Sequence, residues 1–393
     1  MRFITPDSRY DGRMSSLDKV QRPANEAYSL PPACYHDAQI FTLEQEHLFA
    51  SGWIGFGRAD DFEHPGDYVA LTVADTPLVA ILGTDREIRV FANTCRHRGM
   101  RLIPDGRGRT RQLACPFHGW CYALDGRLTA APRMESATHF DMSEFGLAAV
   151  SSAVRAGFVF AHIGTEPMPI DDWLGNFEML HAPWRLADMK TASRREFTVS
   201  CNWKLFIEVF NEYYHLRKVH PRTLSGFYRD PDPPDHSSGA FISQFGEHAK
   251  DVSVGVLGTD APPLPTLPGL SGRLKNGTRY TWVYPNLSFA ASRDAVWMLE
   301  TVPLAPARTA VRLSLLFDPS ALAAEGFERT LNRYQERMQI AMDEDIAVLE
   351  AQQIGMSSRL AQPGRICAAL EPSVHEFHVW YADQLIRWGV AID

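Results

Sequence analysis

FANTCRHRGMRLIPDGRGRTRQLACPFHGWCYALDG, residues 91–126, places Cys-x-His at Cys95 and His97 and Cys-x-x-His at Cys115 and His118, with seventeen residues between the pairs. The intervening segment is rich in Gly and Arg, as a turn between strands is. Two hairpin-like loops therefore each offer one thiolate and one imidazole. Iron–sulfur clusters take thiolates on iron, and exchanging two of four for His on one iron raises the reduction potential. A Cys₂His₂ zinc site uses the same ligand set. A one-residue Cys-x-His spacing is unusual for zinc fingers, however, and a β module of about a hundred residues does not need zinc to fold. Cys121, three residues past His118, has no slot in the pattern and reads as structural.

From Gly66 to about His162, short apolar runs (DYVALTV, PLVAILG, REIRVFANT, AGFVFAHIG) alternate with Gly, Pro and Asp turn signals. This is the pattern of an all-β module. Before it, residues 36–53 carry apolar positions at helical spacing. After it come a helical stretch at 171–187, a strand at 195–203 and a helix over roughly 203–217. Three strand-like runs then lead into a long amphipathic helix at 322–353 and a last helix at 375–388. A β module set inside an α+β domain fits two folding units better than one mixed sheet. The loop-like stretches 229–239 and 255–272 are too rich in Pro, Gly and Ser for regular structure, and at least one is expected to be mobile at a substrate entrance.

The chain has 393 residues, 45% hydrophobic and 22% charged, with a formal net charge of −8. That balance argues against nucleic acid or an anionic membrane as partner. No apolar run reaches transmembrane length, and the N-terminus lacks the apolar core of a secretory signal, so a cytoplasmic location is expected. The six cysteines are sparse and scattered, which does not indicate a disulfide scaffold.

A second constellation lies in CNWKLFIEVFNEYYHLRKVHP, residues 201–221. Glu208, Glu212 and His215 fall at offsets that share one face of a helix. His220 follows just before Pro221, where the helix should end. Two imidazoles plus one carboxylate from elsewhere form a facial triad that leaves positions on Fe(II) open for dioxygen. Taken singly, such acids and histidines are more often solvated surface groups.

Together these segments resemble the Rieske non-haem iron oxygenases, in particular the oxygenase (alpha) component of the ring-hydroxylating and quaternary-ammonium family. Cys95-x-His97-Arg98-Gly99 and Cys115-x-x-His118-Gly119-Trp120 match the family's cluster signatures. Asn202-Trp203-Lys204, followed by Glu208, Glu212, His215 and His220, matches its catalytic motif. The resemblance implies Cys95 and Cys115 on one iron of a [2Fe–2S] cluster and His97 and His118 on the other, with Trp120 beside it. It implies His215 and His220 on a mononuclear iron, with an Asp of a C-terminal helix as third ligand. In MDEDIAVLEAQQIGMSS (342–358) that is Asp345, with Asp343 as rival. It also implies an α+β fold: an N-terminal helical segment (1–50) packing on the catalytic domain, a Rieske domain (51–165), and a catalytic domain (166–393) whose antiparallel sheet wraps helices in a helix-grip arrangement. Electrons would come from NAD(P)H through a separate reductase carrying flavin and an iron–sulfur centre, for reaction with O₂. A head-to-tail homotrimer would carry them between subunits, with Glu212 bridging His118 of one chain and His215 of the next. Many members have Asp at the position of Glu212. Members with Glu there include several that act on carnitine, glycine betaine and stachydrine.

Two substrate classes follow. A quaternary ammonium compound needs an aromatic cage, for which Phe206, Phe210, Tyr213, Trp282, Tyr284 and Trp297 are available, with Glu208 as an acidic neighbour. An aromatic acid needs a cationic partner for its carboxylate, for which Arg293 is the candidate. The non-enzymatic alternative is a Rieske electron-transfer protein, which would leave Glu212, His215, His220 and Asp345 idle.

Overall fold

The runs expected as strands between Gly66 and His162 form antiparallel pairs of one seven-stranded sheet. In spatial order its strands are Ile54–Arg58, Phe158–His162, Ala149–Arg155, Ile88–Ala92, Thr76–Leu82, Asp67–Val73 and Gly106–Arg109. Val73 pairs with Thr76 across a two-residue turn whose central residues, Ala74 and Asp75, both have positive φ (47° and 55°). That is the hairpin turn whose twist matches the flanking strands. A three-stranded sheet, Leu113–Ala114, Cys121–Tyr122 and Leu128–Ala130, packs Leu113, Trp120 and Tyr122 into one core with Val79, Ile81 and Phe91 of the larger sheet. Cys95 and Cys115 are part of that core.

This computed structural model describes residues 2–3, 16–257 and 264–392. The strand-rich portion, Gln45–Trp173, is one compact unit; Met1–Glu44 and Leu174–Asp393 together form the other. Part of the loop stretch at 255–272, residues 258–263, lies outside the described residues.

The second unit is built on a six-stranded antiparallel sheet ordered Lys190–Val199, Arg308–Phe317, Val296–Ala305, Leu287–Ala291, Gly277–Val283 and Phe241–Glu247. The long helix Phe327–Met356 contacts the helix Trp203–Phe210, which also packs on the strand Val296–Ala305. The last helix, Pro372–Arg387, packs on Phe241–Glu247. The arrangement is the α+β, sheet-on-helix architecture expected from the sequence. No described helix is long and apolar enough to cross a membrane.

Three expected helices are shorter than their patterns, and the stretch read over 171–187 breaks into Ile170–Leu174, Phe177–His181 and a 3₁₀ turn at Ala182–Trp184. The one read over 36–53 is α-helical only through Ala38–Glu44, then continues as a π-turn at Gln45–Phe49. The one read over 203–217 stops at Phe210. Asn211 ends it: its side-chain amide donates to Ile207 O at 2.9 Å and to Ser288 Oγ at 3.2 Å.

Glu44, fully buried, accepts hydrogen bonds from Trp203 Nε1 (2.9 Å), Lys204 Nζ and Tyr381 OH. The equally buried Lys204 ammonium also sits 4.9–5.4 Å from the ring centroids of Trp203, Tyr381 and Tyr35. An ammonium deprived of water is thus held by one carboxylate and three aromatic faces.

Two buried histidines make this unit acid-sensitive. His181 donates from Nδ1 to Phe177 O at 2.7 Å and has Thr281 Oγ1 2.7 Å from Nε2, a neutral-ring arrangement. Burial, with Arg279 nearby, lowers its pKa to about 3, and burial lowers that of His248 to about 3 as well. Below pH 6.5 the unfolded chain takes up protons that the folded imidazoles refuse, so stability falls as pH drops from 6.5 towards 3. At pH 5 the loss is about 2 kcal/mol per histidine. Urea titrations at pH 7 and pH 5 check this: His181→Asn should show a shallower pH dependence than the wild type, and an equal slope would refute the assignment.

Candidate metal centres and active site

The two Cys/His loops repeat one backbone design. Gly99 N donates to Cys95 O (3.0 Å) and Cys95 N to Met100 O (2.8 Å); Gly119 N donates to Cys115 O (3.1 Å) and Cys115 N to Trp120 O (2.7 Å). Gly99 and Gly119 close these turns at φ 74° and 73°, the left-handed region that glycine enters without strain. Each turn buries its cysteine (2% and 4% exposed) and leaves its histidine at the surface. The His97 and His118 rings meet edge-on at 4.8 Å, and Trp120 stacks on His97 at 5.0 Å. Tyr122 OH lies 3.2 Å from Cys95 Sγ and accepts from Arg96 N at 2.9 Å.

Among the described residues, only His215, His220 and Asp345 bring three metal-binding atoms within 4.8 Å of one another. The Cys95 and Cys115 thiols are buried in the core while the His97 and His118 rings meet at the surface, which sorts the four side chains into a thiolate pair and an imidazole pair, the donors of a [2Fe–2S] cluster with two histidines.

At the second centre, His220 Nε2 is 2.9 Å and His215 Nε2 3.7 Å from Asp345 Oδ1, and that oxygen is buried with no hydrogen-bond donor. The outer ring nitrogens are both occupied. Glu212 takes His215 Nδ1 at 2.5 Å, and Glu344 takes His220 Nδ1 at 2.7 Å. These carboxylates hold the two rings in orientation, with both Nε2 atoms turned to Asp345. Burial opposes a charge on His220, but the Asp345 and Glu344 carboxylates outweigh it and hold the imidazole above its ordinary value. Two nitrogens and an unpartnered buried carboxylate oxygen, converging from one side, form the donor set that suits Fe(II). Asp343, the sequence rival, is exposed and accepts from Gln339 at 2.6 Å.

Residues 186–386 match the model of the ring hydroxylating alpha subunit (catalytic domain), and residues 52–145 that of the Rieske [2Fe–2S] domain. The chain belongs to the ring-hydroxylating alpha-subunit family. It is the oxygenase component of a Rieske non-haem iron enzyme. Its relatives include the glycine betaine monooxygenase oxygenase subunit of Chromohalobacter salexigens, 29% identical over 91% of this chain and 86% of that one. Another is the choline monooxygenase of Arabidopsis thaliana, 29% identical over 91% and 82%. The crystal structure of the quaternary ammonium Rieske monooxygenase CntA shares the fold, with a TM-score of 0.80 at 23% identity over 93% of this chain and 98% of that one.

In this Rieske oxygenase the His215–His220–Asp345 group lines a cavity that is partly open to solvent. Phe210, Tyr213, Tyr280, Trp297 and Tyr334 supply its aromatic wall. Of the substrate residues expected from sequence, Phe210, Tyr213 and Trp297 are there. Glu208 and Trp282 are not, and neither is Arg293. Because the helix stops at Phe210, Glu208 does not share a helical face with Glu212 and His215; it is buried, accepting from Tyr35 OH at 3.0 Å and meeting His378 Nε2 at 3.1 Å. Trp282 packs on the tilted ring of Phe377 (3.8 Å) and meets Tyr284 edge-on (5.4 Å), and its Nε1 donates to Pro285 O. Arg293 pairs with Asp251 and donates to Thr266. Phe206 and Tyr284 are core residues.

Tyr280 and Tyr334 of the aromatic wall, together with Glu344 and Arg337, escaped the sequence reading. Glu344 adjoins Asp345, and only the fold shows which imidazole it reaches. Arg337 precedes Asp345 by eight positions, on the same face of the long helix, and this spacing was a signal available in the sequence.

Proposed function

We propose that the chain is a terminal monooxygenase that hydroxylates a methyl or neighbouring C–H group of a quaternary ammonium compound, leading to N-demethylation where a methyl is hit. The observation that carries this reading is the aromatic wall beside the His215–His220–Asp345 group. Electron-rich ring faces hold a quaternary cation without hydrogen bonds, and the nearby carboxylates add negative potential. The relatives' names (glycine betaine, choline and carnitine monooxygenases) support the same class.

Bound at these centres, the mononuclear iron would activate O₂ with electrons supplied singly by the [2Fe–2S] cluster, drawn from NAD(P)H through a flavin and iron–sulfur reductase. Cys95, Cys115, His97 and His118 would hold the cluster; His215, His220 and Asp345 would hold the iron. Glu212 and Glu344 orient the two imidazoles. Val209, Leu216, Leu224 and Met338 line the cavity and keep water from competing. The exposed ring of His118 is suited to meeting the Glu212 side of a neighbouring chain, which makes a cytoplasmic head-to-tail homotrimer the working assembly. For CntA, inter-subunit electron transfer is described.

The test is anaerobic purification, iron and acid-labile sulfide assays, and a formaldehyde-release screen of betaines against methoxylated aromatic acids. Three irons and two sulfides per chain with release from a betaine is the expected result; release from the aromatic acids alone refutes the substrate class. Glu344→Ala should weaken iron binding or activity by roughly 10- to 100-fold, read as iron lost on dialysis at constant sulfide. Unchanged retention would deny Glu344 its orienting role.

A further inference from the structure

The buried arginines among the described residues are Arg58, Arg279, Arg312 and Arg337. The first three each meet a carboxylate: Arg58 meets Asp60, Arg279 meets Asp235, and Arg312 meets Glu196 and Glu300. Arg337 meets none. It is 5% exposed, its Nε and Nη1 are buried without any hydrogen-bond partner, and it lines the cavity. Among the lining residues it is the one Lys or Arg.

A buried guanidinium without an anion is costly, because the water it gave up has not been replaced. Asp345 and Glu344 attract it at longer range without forming an ion pair. The missing partner is therefore to be sought in what enters the cavity. Guanidinium presents a planar fork of donors that matches a carboxylate in bidentate geometry. Arg337 and Asp345 are eight residues apart on one helix, about 12 Å of rise between their Cα atoms, and both line the cavity. The cavity thus has a cationic end and a metal-binding end, with aromatic rings in its wall.

We propose that Arg337 is a specificity-determining residue that binds the carboxylate of the substrate, so that the preferred quaternary ammonium substrate is a zwitterion rather than a choline-like alcohol. This rests on the quaternary-ammonium reading given above. It assigns the two charges of a betaine to two places: the onium to the aromatic wall near the iron ligands, the carboxylate to Arg337.

The experiment is isothermal titration of the iron-loaded wild type, Arg337→Gln and Arg337→Lys with glycine betaine, carnitine, choline and benzoate, with iron and sulfide content confirming that each variant is intact. The wild type should bind the betaines more tightly than choline. Arg337→Gln should lose about 10- to 100-fold for the betaines, the value of a hydrogen-bonded charge, with choline unchanged and Arg337→Lys in between. Equal loss for betaines and choline, or loss for neither, overturns the assignment while leaving the quaternary-ammonium reading in place. Arg337-dependent binding of benzoate without binding of any quaternary compound overturns that reading and the zwitterion with it, but leaves Arg337 as a carboxylate receptor. A fully intact protein that binds none of the probes overturns both.

Discussion

Asp345→Ala is expected to abolish turnover while leaving the cluster's visible spectrum unchanged. Asp345 Oδ1 is the buried, donor-free oxygen facing both Nε2 atoms, and its removal leaves two imidazole nitrogens without a carboxylate beside them. Those alone hold Fe(II) poorly, since affinity at such sites rests on the mixed nitrogen and carboxylate set. The variant should contain two irons and two sulfides per chain where the wild type has three and two. Asp343→Ala, two residues away but exposed, is the control and should change stability by no more than about 0.5 kcal/mol, as surface substitutions do. Full iron occupancy and activity in Asp345→Ala would sink the ligand assignment.

Glu44→Ala is expected to destabilise the catalytic unit by about 3–5 kcal/mol, the usual effect of stranding one member of a buried ion pair. Lys204 Nζ would be left with only ring faces around it, and Trp203 Nε1 and Tyr381 OH would lose their acceptor. The double variant Glu44→Leu/Lys204→Met should recover part of the loss, because removing both charges removes the stranded one. Urea midpoints decide the matter. A double variant less stable than Glu44→Ala would mean that the ammonium's contacts with Tyr35, Trp203 and Tyr381 stabilise by themselves.

Local patterns were the readable part of this chain. Cys95, His97, Cys115 and His118 declare themselves because the two turns that carry them are each closed within six residues. The strands from Asp67 to His162 are legible for the same reason: alternation and turn residues act between neighbours. Where a distant residue intervenes, the pattern misleads. Offsets among Glu208, Glu212 and His215 suit a helix, but Ser288, on a strand, binds Asn211 and helps end it. Glu212 still reaches His215, through a turn in which its carboxylate accepts from the Tyr214 and His215 amides. Trp282 and Tyr280 share a sheet face by alternation, yet Tyr280 lines the cavity and Trp282 packs beneath Phe377 of the last helix. Arg337 could be placed on the face of Asp345 by counting; that no carboxylate among the described residues comes to meet it depends on every element around it.

The chain leaves the catalytic unit after Glu44 and returns at Leu174, having built the strand-rich unit in between. This ordering has a consequence for synthesis. On the ribosome, Gln45–Trp173 emerges as an uninterrupted stretch and holds all its own sheet partners, so it can fold as it appears. Glu44 emerges earlier but must wait: its first partners, Trp203 and Lys204, follow the entire inserted unit, and Tyr381 is made almost last. Throughout that interval the N-terminal segment is an uncommitted strand of nascent chain. The long loop it must close is shortened by the already folded insert, whose two ends then deliver residue 44 and residue 174 as a tethered pair instead of as the ends of a random coil.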